Sequence, residues 1–289
     1  MEIWPSNLVE ELAYRRCIIF FGAGVSATAV KVGDADVKAH PPTWGEFINR
    51  AFENAKYAKG VEKKYIKDKI KNGDYLAALQ GIKDTSDIGE YNTLLRKTFA
   101  GGNYVASDVH KAIKDIDCKI TITTNFDKIY DNLCVGDGYC VHTYQNFKDI
   151  TNNIKSPQNV IIKAHGTIDA INDIVFTARD YYESQEKYPD FYDVLFALFL
   201  THTVLFLGYS LNDPDINLVL QYLHRTASDA APHYMLMRSG VVVPQQKRFW
   251  KDTYNVQIIE YGNEYKDFPV AMEELSELVA SLREERSIS

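Results

Sequence analysis

The sequence contains no Cys-x-x-Cys pair. Its four cysteines, Cys17, Cys118, Cys134 and Cys140, lack the paired spacing of a zinc ribbon. The start of the chain shows no cationic stretch leading into an apolar one; Pro5, Glu10 and Glu11 stand there instead, so the expectation is a cytoplasmic protein with reduced thiols. Long apolar runs are missing as well. The best candidate, residues 191–207, is interrupted by Asp193, Thr201, His202 and Thr203. It falls short of the ~20 apolar residues a membrane span needs, and reads as a buried helix, a turn and a buried strand. There is no excess of positive charge: 32 Lys and Arg against 39 Asp and Glu give a net charge of −7, which argues against broad nucleic-acid binding. Internal repeats and low-complexity segments are absent. What is present is ordinary globular composition, 46% hydrophobic and 25% charged, with 19 Tyr, 14 Phe and 3 Trp to fill a sizeable core. A length of 289 residues suits one large domain, or one domain with a smaller module.

The stretch Cys17-Ile18-Ile19-Phe20-Phe21-Gly22-Ala23-Gly24-Val25-Ser26-Ala27 organises the reading. A short continuous apolar run that ends in glycine predicts a strand buried on both faces. Gly22 and Gly24, without Cβ atoms, let the backbone turn sharply and approach a ligand closely. Ser26 offers a hydroxyl, and the N–H groups of such a turn suit an anion. Gly-x-Gly-x-x-Ala, with Ala27 last, is a permitted form of the dinucleotide fingerprint, though one glycine turn alone is a weak signal.

Along the chain, residues 6–16 predict a short helix and residues 31–42 a loop over the site, ending in Pro41-Pro42. Thr43 reads as the cap of a helix over 44–57, and the segment 60–100 carries helical patterns only. The expectation is a single domain over 1–289, with 43–116 as a small helical module inserted into an α/β frame. Strands follow at 119–123, 159–164, 203–207, 233–237 and 256–259, separated by helical patterns, with Pro214 placed to begin a helix. A final amphipathic helix carries Ala271, Met272, Leu275, Leu278, Val279 and Leu282, and its polar end from Arg283 is expected to fray. Strands alternating with helices predict a Rossmann-like, mostly parallel sheet with helices on both faces, in which ligands bind beyond the carboxyl ends of the strands.

The polar residues gather at those ends: Gly22 to Ser26, Thr124 to Asp127, His165-Gly166 and Gly208 to Ser210. Each has a plain structural reading. Asn125 alone is a helix cap, Asp127 a first-turn acid, His165 a core histidine and Ser210 a turn residue. Asp213 and Asp215 are ordinary first-turn acids. His110, His142, His202 and His224 read as structural or exposed, and the Tyr181-Tyr182 pair as packing.

Taken together and in order, Gly22-Ala23-Gly24-Val25-Ser26, Thr123-Thr124-Asn125-Phe126-Asp127, Lys163-Ala164-His165-Gly166-Thr167 and Gly208-Tyr209-Ser210-Leu211 resemble the sirtuin-like fold family. The similarity is nearest to the sirtuin-like domains of prokaryotic antiphage systems, and it runs from about Cys17 to the last strands. The resemblance implies a NAD+-consuming enzyme. Gly22, Ala23, Gly24 and Ser26 would hold the pyrophosphate and nearby ribose, and Gly208 and Ser210 the adenosine side. Asn125 would orient the nicotinamide ribose and a water, with Thr124 and Asp127 at that end of the pocket. His165 would be the general base. NAD is thus expected as substrate, with no metal. The chain departs from protein-deacylating sirtuins in lacking their zinc cysteines and their Pro-Asp-Phe-Arg stretch, and in having Thr124 where they carry Gln. These departures speak against deacylation and leave NAD binding untouched.

Cleavage of the nicotinamide–ribose bond expels a neutral leaving group and leaves an oxocarbenium-like sugar. The site must hold the ribose and aim one water at it, and a histidine suits the proton transfer. The first reading is an NAD+ glycohydrolase that depletes NAD+ in antiphage defence. The resemblance implies control by assembly, either as a homo-oligomer or with a HerA-like ATPase or another defence-system or phage protein. An ADP-ribosyltransferase or deacylase is the second reading, and a silent subunit that binds NAD or a derivative is the third. Neither nucleic acid nor membrane is expected as a direct partner.

Overall fold

A computed structural model describes residues 3–31, 40–53, 55–100, 102–210 and 231–288. Nine strands, thirteen α-helices and two short 3-10 helices occur among the described residues. The main sheet has seven strands: β1 (Cys17–Phe21), β4 (Ile120–Thr123), β5 (Tyr139–Thr143), β6 (Asn159–Lys163), β7 (Thr203–Leu207), β8 (His233–Arg238) and β9 (Val256–Tyr261). Their order across the sheet is β5-β6-β4-β1-β7-β8-β9, and every neighbouring pair is parallel. The Rossmann-like parallel sheet expected from the sequence is therefore present. β1 lies at the switch point, where the chain builds outward first through β4 and later through β7, and crevices at such points hold ligands.

The apolar run of β1 is buried along its whole length because it divides between two cores. Strand side chains alternate between faces. Cys17, Ile19 and Phe21 join α1 (Ser6–Ala13), α7 (Asp108–Asp115) and α13 (Asp267–Arg286) on one face. Ile18 and Phe20 meet α11 (Pro189–Thr201) and α12 (Pro244–Tyr254) on the other. Each such side chain contributes about 1.5–3 kcal/mol on burial, which fixes the register of the strand that carries the glycine turn.

A third core belongs to α3 (Trp44–Glu53), α4 (Gly60–Lys71), α5 (Tyr75–Asp84) and α6 (Ile88–Phe99). It closes against Phe126, Ile168, Ile171, Ile174 and Phe176, residues that follow β4 and β6. These four helices thus sit over the carboxyl ends of the strands. Helical pattern without strands over 60–100 is what the sequence predicts, and α3 ends at Glu53 rather than at 57.

Four details differ from the sequence reading. β5 goes unpredicted there because Tyr-Cys-Val-His-Thr neither alternates nor runs apolar; it is a half-exposed edge strand. The two-residue strands β2 (Val30–Lys31) and β3 (Tyr104–Val105) pair antiparallel, the first at the start of the segment read as a loop and the second within the segment 43–116 read as a helical module. α8 (Ile129–Cys134) begins after Lys128, so Asn125 is not its cap. The end of α13 is fastened: Arg283 donates from Nε to the Ala13 carbonyl at 3.0 Å and from Nη2 to the Leu12 carbonyl at 3.1 Å, and Arg286 pairs with Glu10. The expected fraying from Arg283 is not found. Residues 32–39 of the expected loop, and Leu211, Asp213, Pro214, Asp215 and His224, lie outside the described residues. No helix among the described residues is long and apolar enough to cross a membrane.

Candidate nucleotide site at four strand ends

The four sequence motifs follow β1, β4, β6 and β7, which are consecutive in the sheet. Their loops hold one another. Gly24 donates its N–H to the Gly208 carbonyl at 2.9 Å. A Cβ on Gly24 would lie 2.7 Å from the Gly208 backbone, and one on Gly208, whose φ is +70°, would lie 2.5 Å from the Val25 nitrogen. Both positions demand glycine because backbone meets backbone there. A Cβ on Gly22 would strike the Tyr209 ring, whose hydroxyl lies 3.0 Å from Thr124 Oγ1.

Asn125 is buried and reaches across to the β1 turn. Its Nδ2 donates to the Gly22 carbonyl at 3.0 Å and to Ser26 Oγ at 2.8 Å. Ser26 Oγ in turn donates to Asp127 Oδ2 at 2.7 Å, and Asp127 Oδ1 accepts the Ile129 N–H at 3.0 Å. Both hydrogens of the amide are thereby engaged, which leaves Oδ1 of Asn125 as the atom able to accept a hydrogen bond from a guest. Ser26 carries this arrangement as acceptor and donor at once. Ser26→Ala is expected to lower the unfolding free energy by about 1–3 kcal/mol, since it strands a buried donor and a buried carboxylate oxygen. An unchanged urea midpoint would show that the bridge is not made in solution.

Lys163, the last residue of β6, is 1% exposed. Its Nζ donates to the Asp127 carbonyl at 2.6 Å and pairs with Asp131 Oδ2 at 3.0 Å. Burial pushes the Asp131 carboxyl above its usual range, and Lys163 opposes that shift. This buried pair pins the loop that carries Asn125. His110, fully buried on α7, has its Nδ1 2.8 Å from Ser107 Oγ, and that hydroxyl lies 2.6 Å from Thr28 Oγ1. Burial holds its imidazole down at about 4, against the pull of the Asp127 carboxylate, so it is neutral near neutral pH.

Thr123 pairs with Lys163, so Asn125 and His165 each stand two residues beyond the paired ends of neighbouring strands. His165 is 4% exposed, and its ring meets Tyr181 at 5.0 Å between centroids, with Tyr181 OH 3.5 Å from Nδ1. Its carbonyl accepts the N–H of Val175, beside Phe176. Tyr181 and Lys163 both touch candidate residues; the sequence names Lys163 only as the start of a motif and Tyr181 only as packing, and neither as part of a site.

Two cavities adjoin the loops. The inner one, about 40 Å³, is walled by Ser26, Thr124, Asn125 and Asp127 and by the rings of Trp44, Phe126 and Phe176, among others. The outer cleft, about 630 Å³, shares Ala23, Thr43 and Trp44 with it and runs past Gly24, Gly208 and Ser210 to Arg238. Of the candidate residues, Ala23, Ser26, Thr124, Asn125 and Asp127 face the inner space, and Ala23, Gly24, Gly208 and Ser210 the outer. Gly22 and His165 are in neither described wall. Among the described residues no group of three or more His, Cys, Asp or Glu side chains is placed to hold a metal ion. The arrangement can take an elongated polar guest along the cleft, with an amide acceptor at its inner end.

A parallel doubly wound sheet with interlocked glycine turns at its switch point belongs to the Rossmann-like class. Residues 119–259, just under half of the chain, match the family described as the SIR2-like domain. The chain is similar to "Defense-associated sirtuin 2" of Bacillus subtilis, 23% identical over 78% of this chain and 21% of that protein. It is also similar to "NAD(+) hydrolase ThsA" of Enterococcus faecium, 25% identical over 83% of this chain and 47% of that protein. The chain thus spans less than half the length of either relative. A solved structure described as "Structural Basis for the Mechanism and Regulation of Sir2 Enzymes" aligns over 96% of this chain and 97% of that one, at 12% identity and a TM-score of 0.49.

Proposed function

We propose that the chain is an NAD+ glycohydrolase. It splits the bond between nicotinamide and ribose with one water, giving nicotinamide and ADP-ribose; where a purine nitrogen of the same molecule attacks in place of water, the product is a cyclic ADP-ribose. We read it as the NAD-depleting effector of an antiphage system, active on assembly with itself or with a partner such as a HerA-like ATPase. The observation that carries the reading is the orientation of Asn125. Its amide nitrogen is committed to Gly22 and Ser26, so its carbonyl oxygen is the free acceptor at the inner end of the cleft. The names of the two relatives, a NAD(+) hydrolase and a defence-associated sirtuin, support the same chemistry and setting.

In this reading the outer cleft holds the dinucleotide, with the pyrophosphate over Ala23 and Gly24 and the adenosine toward Gly208 and Ser210. Asn125 Oδ1 accepts from a ribose hydroxyl or from the attacking water, next to Thr124 and Asp127, and His165 takes the proton. Nicotinamide departs as a neutral molecule, so the site's main task is to hold the sugar and exclude other nucleophiles. The inner pocket, at about 40 Å³, is smaller than the ~150 Å³ that holds a benzene ring. It has to widen for a nicotinamide and for the approach of His165. Trp44 and Phe47 of α3 and Phe99 of α6 form part of its wall, and in this reading assembly acts through them.

The test is nicotinamide release from NAD+ by the wild-type protein, followed across protein concentration, without and with an acyl-lysine peptide. Release that needs no peptide and rises more than linearly with concentration is the expected result. Turnover strictly dependent on the peptide would replace the hydrolase with a transferase. Tight NAD+ binding without turnover at any concentration or with any partner would make the chain a sensor.

A further inference from the structure

We propose that the far end of the outer cleft binds a phosphate monoester on Arg238, so that the 2′-phosphorylated dinucleotide NADP+ is a substrate alongside NAD+. The inference rests on the reading that the cleft holds a dinucleotide with its pyrophosphate over the β1 turn.

Arg238 closes β8, and the register Phe206 with Met235 sets it level with Tyr209 in the loop after β7. β8 is two strands from β1, hence about 10 Å away across the sheet, a separation on the scale of one nucleoside. A pyrophosphate over Gly24 that sends its adenosine past Gly208 and Ser210 therefore brings the sugar toward Arg238, which lines the same cleft.

The guanidinium is held in place and left unsatisfied. Its Cζ lies 4.8 Å from the centre of the Tyr265 ring, and Nη1 donates to the Asn263 carbonyl at 3.3 Å. Nε is buried and has no hydrogen-bond partner. A buried guanidinium nitrogen without an acceptor is costly, and a phosphate offers the oxygens that its planar fork matches. Among the described residues no carboxylate pairs with Arg238. The nearby acids are committed elsewhere: Glu260 to Lys247 and the Gly240 N–H, and Asp267 to the Glu264 N–H.

Cofactor sites that select the unphosphorylated ribose set an acid against its hydroxyls, whereas an arginine accommodates the 2′-phosphate. The one acid in the described wall of this cleft is Glu46. Its Oε2 accepts from the Thr43 N–H at 2.8 Å and hydroxyl at 3.1 Å, so it serves the start of α3. Among the described residues, the cleft therefore presents a cation that suits the 2′-phosphate, and its one carboxylate is engaged at the start of α3.

The experiment measures nicotinamide release from NADP+ and from NAD+ by the wild type, Arg238→Met and Arg238→Lys. The wild type is expected to cleave both. The ratio of kcat/KM for NADP+ over NAD+ is expected to fall about ten- to a hundredfold in Arg238→Met, the loss of one charge-assisted contact, and less in Arg238→Lys. Both substrates are read on one preparation, so any loss of folded protein cancels in the ratio. An unchanged ratio in Arg238→Met, or a wild type that cleaves NAD+ alone, overturns the proposal and leaves the hydrolase standing. If neither dinucleotide is cleaved, the hydrolase reading fails by itself, and calorimetry decides this one. Adenosine 2′,5′-bisphosphate binding more tightly than 5′-AMP to the wild type, with the difference lost in Arg238→Met, supports it; equal affinities overturn it.

Discussion

Asn125→Ala and His165→Ala are each expected to reduce kcat for nicotinamide release by about 10²–10⁴-fold. That is the range for removing a positioned proton acceptor or a group that orients the reacting atoms. The two losses should not add if, as proposed, amide and imidazole act on the same sugar and water. Asn125→Asp separates orientation from mere presence. A carboxylate cannot donate to the Gly22 carbonyl, and it can hold Ser26 only by accepting the hydroxyl proton that now goes to Asp127, so the contacts that aim the side chain are broken or reversed. It is expected to be as inactive as the alanine variant. Activity retained in Asn125→Asp, or in His165→Ala, would defeat the assigned chemistry. Binding of ADP-ribose by calorimetry distinguishes a lost chemical step from a collapsed cleft: affinity within a few fold of wild type identifies the former.

Lys163→Met is expected to destabilise the fold by about 3–5 kcal/mol, the cost of leaving one member of a buried pair uncompensated. That is a large part of the 5–15 kcal/mol of a typical domain. The variant strands the Asp131 carboxylate, 6% exposed as a residue, and removes the donor to the Asp127 carbonyl. The deficit should depend on pH in a definite direction. The Asp131 carboxyl already lies above its ordinary range through burial, and Lys163 is what restrains it. Without the lysine it rises further, so the folded state binds the proton more tightly than the unfolded chain does. Such a group favours folding in acid, and that contribution is lost as pH climbs through the folded pKa. The gap between Lys163→Met and wild type, read from urea midpoints, should therefore narrow as pH falls from neutral toward the carboxylate range. Adding Asp131→Asn to Lys163→Met should restore most of the loss. A double variant no more stable than the single one would mean that the pair's charge is not what holds this loop.

The frame of the protein was legible because burial writes itself into short runs. Cys17 to Phe21 is continuous, apolar and stopped by glycine, and only a strand covered on both faces satisfies that pattern. Alternation and β-branched residues marked β4, and similar short runs marked β6 and β7, and with them the strand ends where the candidate residues stand. β5 was hidden because an edge strand with half-exposed faces leaves no period to read. The contacts that organise the site were hidden for a different reason. Asn125 is joined to Ser26 across 99 positions and His165 to Tyr181 across 16, and nothing local in either segment signals the partner. Lys163 looked like one polar residue at a strand end. Its burial follows only once β6 is seen to lie against α8, where Asp131 waits. Arg283 read as a fraying terminus because its acceptors, the carbonyls that end α1, are contributed by the other end of the chain.

The seam between the four-helix cluster and the strand ends is made of rings. Phe99 of α6 meets Phe126 at 5.4 Å and 88° and Phe176 at 6.1 Å and 83°. Rings set edge against face attract through their quadrupoles and through dispersion, and no sheet ladder crosses between them. Besides the rings, the joint is crossed by the Lys83–Asp180 ion pair at 2.9 Å and by the Arg179 N–H, which donates to Gln80 Oε1 at 3.1 Å; a small shift of the rings leaves the backbone hydrogen bonds within each layer intact. If the proposed function holds, a partner that pushes on α3 or α6 need not unfold either layer to enlarge the inner pocket, and a single bulky side chain wedged among those phenyl groups would hold it open.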